Sequence, residues 1–153
     1  MNKVFINAED IPLPSWTKAA ERFIKKVLDK LEKKNWEVSV LFCNNRFIKT
    51  LNAQYRNKDE PTDVLSFSAD GNIAGGNGRY IAGDIVISLD AVEENAGFFK
   101  VSSDEELRRL LVHGILHLSG LDHDTNKTGE PMLVIQEEII AALKEERIQE
   151  NNK

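Results

Sequence analysis

The sequence contains one cysteine, Cys43, among its 153 residues. A single cysteine excludes an internal disulfide and a zinc site built from several thiolates. Cys43 lies in an alternating apolar segment, which favours a small buried hydrophobic residue over a nucleophile. No apolar run approaches the ~20 residues that span a bilayer, and the N-terminal residues carry no signal-peptide pattern. We therefore expect a cytoplasmic protein that has no membrane partner.

The chain also lacks the glycine-rich patterns that bind nucleotides, G-x-G-x-x-G and the P-loop. Its net charge is −5 and its pI is about 5.3, which disfavours a protein that coats nucleic acid without specificity. A locally basic cleft is still compatible with this charge, because net charge describes the whole surface. Lysine pairs at residues 25–26 and 33–34 are interpreted as a solvated helical face.

The hydrophobic pattern predicts one small α/β (α+β) domain over residues 1–153. A helix with Ser15 as its cap carries an apolar face (Trp16, Ala19, Phe23, Val27, Leu31). A strand follows over residues 36–42, and Asn44 or Asn45 caps a second helix. A short strand is expected at 64–67 and the longest β-type run at 80–88, with a glycine-rich, hairpin-like connection over 70–78 between them.

The C-terminal half is predicted to be mostly helical. A short helix is expected over residues 90–95, and a Ser103–Glu106 capping box opens a longer one that stops at Gly120. Pro131 suits the first turn of a last helix, whose charged end from about residue 144 is expected to fray. The prediction is a small mixed sheet of about four strands packed by several helices.

All three histidines of the chain, His113, His117 and His123, lie between residues 113 and 123. His113 and His117 are four residues apart on a predicted helix, so both imidazoles project from one face. Gly120 allows a sharp turn that returns His123 towards the same point. Three neutral imidazoles suit zinc and leave a fourth position for water, which favours a catalytic metal over a structural one. A purely structural histidine cluster is the alternative.

The spacing His-x-x-x-His-x-x-Gly-x-x-His matches the metzincin proteases, with one difference. Those enzymes place a glutamate base directly after the first histidine, where this chain has Gly114. The metal scaffold is therefore predicted, with the metal-binding helix near the C-terminal third, whereas a peptidase activity is disfavoured. Asp122 or Asp124 could orient an imidazole or act on a proton; for Asp124 a plain turn residue is as good an interpretation.

The polar segment over residues 56–63 contains Arg56, Lys58 and Thr62, side chains that can bind an anion. Together with the histidine block, it resembles the YbeY family of bacterial endoribonucleases, also called rRNA maturation factors. The core of the resemblance is His-Gly-x-Leu-His-Leu-x-Gly-x-Asp-His over residues 113–123. Further blocks are Asn-x-x-Tyr-Arg (52–56), Asp-x-Pro-Thr-Asp-Val-Leu-Ser-Phe (59–67), Gly-Asp-Ile-Val-Ile-Ser (83–88) and Met-x-x-x-Gln-Glu-Glu-Ile (132–139). The resemblance begins at about residue 52, and the first forty residues or so match weakly.

The resemblance implies one zinc ion per chain, held by His113, His117 and His123, and cleavage of single-stranded RNA during rRNA maturation and ribosome quality control. It also implies that Arg56 lies in the metal cleft and acts in catalysis with the histidines. The implied partners are an rRNA precursor, the small ribosomal subunit and its assembly proteins. The general acid or base stays open between Asp122 and the metal-bound water, and the oligomeric state is not implied.

The chain departs from the family pattern at three positions. Leu121 stands where tyrosine is frequent, Asn57 where glycine is common, and Ser68 where proline is common. None of these changes removes an implied ligand, so they bear on the shape of the loops. Two other functions remain as alternatives: a zinc hydrolase of a peptide or small amide, and a non-catalytic ribosome-assembly factor with a structural zinc.

Overall fold

A computed structural model describes residues 1–69, 78–122 and 129–149, together with the backbone of residues 73–74. The described elements are five strands and five helices: β1 (Lys3–Ala8), α1 (Thr17–Lys30), β2 (Trp36–Cys43), α2 (Asn45–Arg56), β3 (Val64–Ser68), β4 (Ile73–Ala74), β5 (Arg79–Ser88), α3 (Leu89–Phe99), α4 (Ser103–Leu118) and α5 (Pro131–Ala142). No helix in this part of the chain is both long and apolar enough to cross a bilayer.

The strands form one mixed sheet in the order β1-β2-β5-β3, with β4 also paired to β5. Strands β1, β2 and β5 are parallel, whereas β3 and β4 run antiparallel to β5. The predicted small mixed sheet in a single α/β domain is confirmed. The sheet has five strands where about four were predicted: strand β1 had no predicted counterpart, and the two-residue β4 lies within the expected hairpin-like connection. Residues 70–72 and 75–77 of the expected hairpin-like connection lie outside the described residues.

Helices cover both faces of the sheet. On one face, α1, α4 and α5 pack on inward-facing strand residues such as Val38, Val40 and Ile85, which form the main core. On the other face, Ile48 of α2 packs in a smaller cluster with Cys43, Leu65 and Val86. Burial, with Asp10 and Asp90 adding to it, raises the pKa of the Cys43 thiol to about 12. Cys43 is therefore the buried hydrophobic residue that was predicted.

Helix caps agree with the sequence prediction at some ends and not at others. Asn44 caps α2 by accepting the Phe47 N–H at 2.9 Å, as expected. Helix α1, however, begins at Thr17 without a side-chain cap, so the prediction for Ser15 was wrong. The cap of α4 lies one residue earlier than predicted, because Ser102 accepts the Glu105 N–H at 3.0 Å.

The charged segment after α5 is ordered through Gln149, in contrast to the expected fraying. The side chain of Ile148 is 2% exposed and belongs to the main core. The Asp104 carboxylate in the first turn of α4 accepts the backbone N–H groups of Ile148 and Gln149 at 2.9 and 2.7 Å. The burial of Ile148 and the hydrogen bonds to Asp104 hold the segment in place although most of its residues are charged or polar. Residues 150–153 lie outside the described residues.

Candidate metal cleft

Helix α4 presents His113 and His117 from one face near its C-terminal end. The two side chains are half-buried, and their Nε2 atoms lie 3.2 Å apart. This is the i, i+4 arrangement that the sequence predicted, with both nitrogens converging on one point.

The opposite ring nitrogens show why this convergence suits a cation. His113 Nδ1 lies 2.8 Å from Oε1 of Gln136, and His117 Nδ1 lies 3.1 Å from the carbonyl oxygen of Leu121. Both partners are acceptors, so each Nδ1 carries the hydrogen in the neutral imidazole, and each Nε2 is an acceptor. Two acceptors at this separation are stabilised by a cation between them, and the pair therefore fits a metal ion.

A chain of hydrogen bonds between α4 and α5 holds Gln136 in this orientation. The Gln136 amide nitrogen donates to Glu137 at 3.1 Å, which assigns Oε1 to the His113 side. Arg109 in turn donates to both carboxylate oxygens of Glu137, at 2.9 and 3.0 Å, and to Glu105 at 3.1 Å. The bonds from Arg109 lower the pKa of Glu137, so this carboxylate is ionised at neutral pH. Sequence reasoning did not assign any of these residues to the site.

The third predicted ligand, His123, lies outside the described residues, as does Asp124. Among the described residues, no group of three histidine, cysteine, aspartate or glutamate side chains converges in a way that could hold a metal. The Asp122 carboxylate lies 3.9 Å from His117 Nδ1, and its side chain is 83% exposed. The closer partner of that nitrogen is the Leu121 carbonyl, so the backbone of Leu121 orients His117 whichever side chain stands there.

Arg56, the last residue of α2, reaches the same cleft around the edge strand β3. Its Nη2 donates to the Ser66 carbonyl oxygen at 2.8 Å, and its Cζ lies 5.0 Å from the centre of the Phe67 ring. A cleft of about 450 Å³ is lined by Arg56, His113 and His117 together with residues of β3. The structure thus brings together the predicted arginine and two of the three predicted histidines.

The loop that follows Arg56 is anchored by Asn52, which is 4% exposed. Its side-chain nitrogen donates to the Glu60 carbonyl at 2.8 Å, and its own carbonyl accepts the N–H groups of Asn57 and Lys58. Asn57 adopts the left-handed conformation, with φ of 58°. Asparagine tolerates this conformation better than most residues other than glycine, so the departure from the family's glycine leaves the turn intact.

The start of β3 is tied to two helices through Asn95 of α3. The Asn95 amide nitrogen donates to Asp63 at 3.0 Å and to Glu106 of α4 at 3.1 Å. Glu106 is 3% exposed, and this burial raises the pKa of its carboxyl group. These two hydrogen bonds from Asn95 hold β3, which lines the cleft, at a defined distance from α4, which carries the histidines.

Gly114 faces the sheet and not the cleft. A Cβ atom built on Gly114 would lie 2.9 Å from Cγ2, 3.0 Å from Cδ1 and 3.1 Å from Cγ1 of Ile85 in β5. The side-chain direction that would hold a protease glutamate therefore points into the interface between helix and sheet. The glycine allows the close approach of α4 to the central strand, which gives the position a structural explanation.

Comparison with known proteins assigns the family. The model of the family described as endoribonuclease YbeY matches residues 4–144. The chain belongs to this family. The family match includes the N-terminal part that had appeared only weakly similar. The predicted class, a hydrolase of the endoribonuclease type, is confirmed by this membership.

Relatives and a solved structure agree with the assignment to the YbeY family. The chain is 45% identical over 143 residues to the endoribonuclease YbeY of Treponema pallidum, covering 92% of this chain and 89% of the relative. It is 52% identical over 126 residues to that of Treponema denticola, covering 81% of each. The solution structure of a Thermotoga maritima protein aligns with a TM-score of 0.60 at 27% identity, covering 97% of each chain.

Proposed function

We propose that this protein is a zinc-dependent endoribonuclease that cleaves single-stranded RNA in rRNA maturation and ribosome quality control. The observation that carries the proposal is the cleft that brings Arg56 together with the converging Nε2 atoms of His113 and His117. A pair of imidazoles suits a metal, and a guanidinium beside it suits a phosphate. Membership of the endoribonuclease family supports RNA as the substrate.

One zinc ion per chain is proposed, with His113, His117 and His123 as its ligands. His123 enters from the sequence pattern alone. When bound, zinc supplies a Lewis acid for the phosphate oxygens and lowers the pKa of a water molecule, so that hydroxide is available near neutral pH. Gln136 and the Leu121 carbonyl hold Nδ1 of the first two imidazoles, which would leave both Nε2 atoms to ligate the ion.

Arg56 is proposed to bind the scissile phosphate. A guanidinium carries five N–H donors in a planar fork and can hold two phosphate oxygens at once. The bond to the Ser66 carbonyl and the Phe67 ring restrict the side chain before the substrate arrives, which reduces the entropy lost on binding. As cleavage places negative charge on the non-bridging oxygens, the fixed guanidinium stabilises that charge most strongly in the transition state.

The proposed setting is the cytoplasm, with an rRNA precursor, the small ribosomal subunit and assembly proteins as partners. The net charge of −5 suits a protein that reaches its RNA with the help of protein partners better than one that relies on phosphate attraction over its whole surface. Binding to intact subunits is therefore expected to be tighter than binding to the same RNA after deproteinisation. Equal affinities would contradict guidance by proteins.

The experiment that tests the function combines metal analysis with RNA cleavage. The purified protein is expected to hold about one zinc per chain, to cleave a single-stranded RNA, and to lose cleavage on chelation and regain it with added zinc. A His117→Ala variant that stays folded and binds the subunit but does not cleave RNA would exclude the structural-zinc alternative. Proteolysis by the unmodified protein would instead support the peptidase alternative.

A further inference from the structure

The charge of the chain is distributed unevenly. Residues 17–34, which comprise α1 and its C-terminal extension, hold seven lysine or arginine residues against three aspartate or glutamate residues, a net charge of +4. The whole chain carries −5, so the other residues together carry −9. Residues 17–34 are therefore net positive within an acidic molecule, as is α2, which carries Arg46, Lys49 and Arg56 without an aspartate or glutamate.

The cations on α1 follow the helical repeat. Lys18, Arg22, Lys26 and Lys30 are spaced four residues apart, so they form a row that runs along the outer side of the helix with steps of roughly 6 Å. We call these four residues the α1 row. The opposite side of α1 is the apolar face that is buried in the main core. Lys18, Arg22 and Lys30 are exposed, and Lys26 is half-buried.

Helix stability does not explain the α1 row. Like charges at i, i+4 destabilise a helix, and this row contains three successive like-charge steps. Lys26 is paired with Glu146 at 3.2 Å. Among the described residues, no ion pair is formed by Lys18, Arg22 or Lys30, although Glu21 and Asp29 lie on the same side of the helix. The row of cations is compatible with the fold, and a bound anion would relieve the repulsion within it.

The position of α1 separates this row from the cleft. Helix α1 packs against β1 at one edge of the sheet and against α4, whereas the cleft lies at β3, the opposite edge. The two edges are three strand spacings apart, roughly 14–15 Å. A ligand that reaches both surfaces must therefore be a long polyanion, and a single nucleotide is too small.

We propose that the α1 row binds the phosphate backbone of a structured part of the RNA whose single-stranded part enters the cleft. This inference rests on the proposed ribonuclease function and adds a second RNA contact outside the catalytic cleft. Regular spacing along a straight helix suits a polyanion with regularly spaced phosphates. The local charge of +4 supplies the attraction that the acidic molecule as a whole lacks.

The test compares two triple variants of equal net charge. The first is Lys18→Gln, Arg22→Gln and Lys30→Gln; Lys26 is kept so that its contact with Glu146 is preserved. The control replaces three exposed cations outside α1 and α2, Lys3→Gln, Lys100→Gln and Lys144→Gln, and both variants reach −8. Two probes are used: an RNA hairpin with a single-stranded tail, and the tail alone as a short oligonucleotide.

The α1 variant is expected to bind the hairpin with a weaker salt dependence. Each lost phosphate contact lowers the slope of log K against log salt by about 0.7–0.9. Between 50 and 200 mM salt, the unmodified protein should therefore lose roughly 20- to 40-fold more affinity than the α1 variant. The control variant should keep the original slope, and all three proteins should cleave the short oligonucleotide at the same rate.

Equal slopes of log K against log salt for the α1 variant and the unmodified protein would overturn the inference. The α1 row would then be a solvated face or a contact for an acidic protein. Equal reductions in both variants would also overturn it, because net charge alone would then explain the binding. Absence of oligonucleotide cleavage by the unmodified protein would refute the proposed function itself. Failure of the function and failure of the inference are thus distinguishable.

Discussion

Replacing Gly114 by alanine tests whether the close approach of α4 to β5 is the reason for glycine at this position. Alanine in place of glycine within a helix ordinarily raises stability by about 0.8–1.0 kcal/mol. At Gly114, however, the new Cβ would lie 2.9–3.1 Å from three carbon atoms of Ile85. Adding a methyl group to a filled core costs about 1–3 kcal/mol. The two effects together predict a net loss of about 0–2 kcal/mol in the free energy of unfolding.

Gly97 in α3 provides the matched control. It is also helical, but a Cβ at Gly97 would have no heavy atom within 4 Å. Gly97→Ala should therefore stabilise the protein by about 0.5–1 kcal/mol. Urea denaturation followed by circular dichroism would measure both variants, and we expect their free energies of unfolding to differ by about 1–3 kcal/mol.

A double-mutant cycle with Ile85→Val identifies the steric contact directly. Valine lacks Cδ1, one of the three atoms that the new methyl group would approach. The loss caused by Gly114→Ala should therefore be smaller in the Ile85→Val background, with a coupling of about 0.5–1.5 kcal/mol. If Gly114→Ala and Gly97→Ala proved equally stabilising, the packing explanation would be refuted. Position 114 would then be open to a functional interpretation.

Three further predictions concern the cleft and the core. Arg56→Ala should retain folding and zinc content but cleave RNA about 10²–10³ times more slowly, as expected for one lost transition-state donor, and Arg56→Lys should recover only part of the rate. Full cleavage by the alanine variant at unchanged zinc content would show that Arg56 is a surface residue without a role in catalysis. Gln136→Met should weaken zinc binding about 10- to 100-fold, measured by chelator competition, and should change the ¹⁵N shifts of the His113 ring. Gln136→Glu keeps a hydrogen-bond acceptor for His113 and should therefore retain most of the zinc affinity. Glu138→Gln, on the exposed side of the same helix, is the control. Equal zinc affinities of the Gln136→Met variant and the unmodified protein would refute the role of Gln136 in positioning His113. Because the pKa of Cys43 is raised to about 12, the thiol should resist alkylation at pH 8.5 in the folded protein, and rapid labelling there would contradict its burial.

The parts of the fold that were predictable from sequence are those with a strong local pattern. Helices α1, α4 and α5 carry apolar faces that recur every three or four residues, and α2 begins after an asparagine that can cap it. Strand β1 was missed because Val4 is its only buried residue and its partner β2 is some thirty residues away. Periodicity in so short a segment is weak, and the pairing that stabilises it is not local.

The cap of α4 shows a second limit. Ser102-Ser103 and Glu105-Glu106 allow two capping boxes that differ by one residue, and local sequence does not distinguish between them. The choice follows from burial, since Glu106 is held by Asn95 inside the protein and is unavailable to the helix terminus. Tertiary contacts thus determine which of two equivalent local motifs is used.

In the cleft, the residues predicted from sequence were those that carry distinctive chemistry. The i, i+4 histidines were identified from spacing, and Arg56 from the family resemblance. Gln136 was not assigned a role because a glutamine within a helix has no distinctive pattern. One signal was present nonetheless: Gln136 lies on the face that Met132 and Ile139 bury, and a buried amide needs polar partners.

The attachment of the C-terminal segment to Asp104 has a consequence for protein turnover. Removal of Ile148 and Gln149 would expose a core pocket, at a cost of roughly 1.5–3 kcal/mol for the isoleucine alone. It would also take two donors from a carboxylate that is 5% exposed in the first turn of α4. An exopeptidase that trimmed the chain to this point would therefore loosen the N-terminal end of the histidine-bearing helix while the cleft itself was still chemically intact. We therefore expect a chain shortened past Ile148 to lose activity through the stability of this helix and not through the chemistry of the cleft.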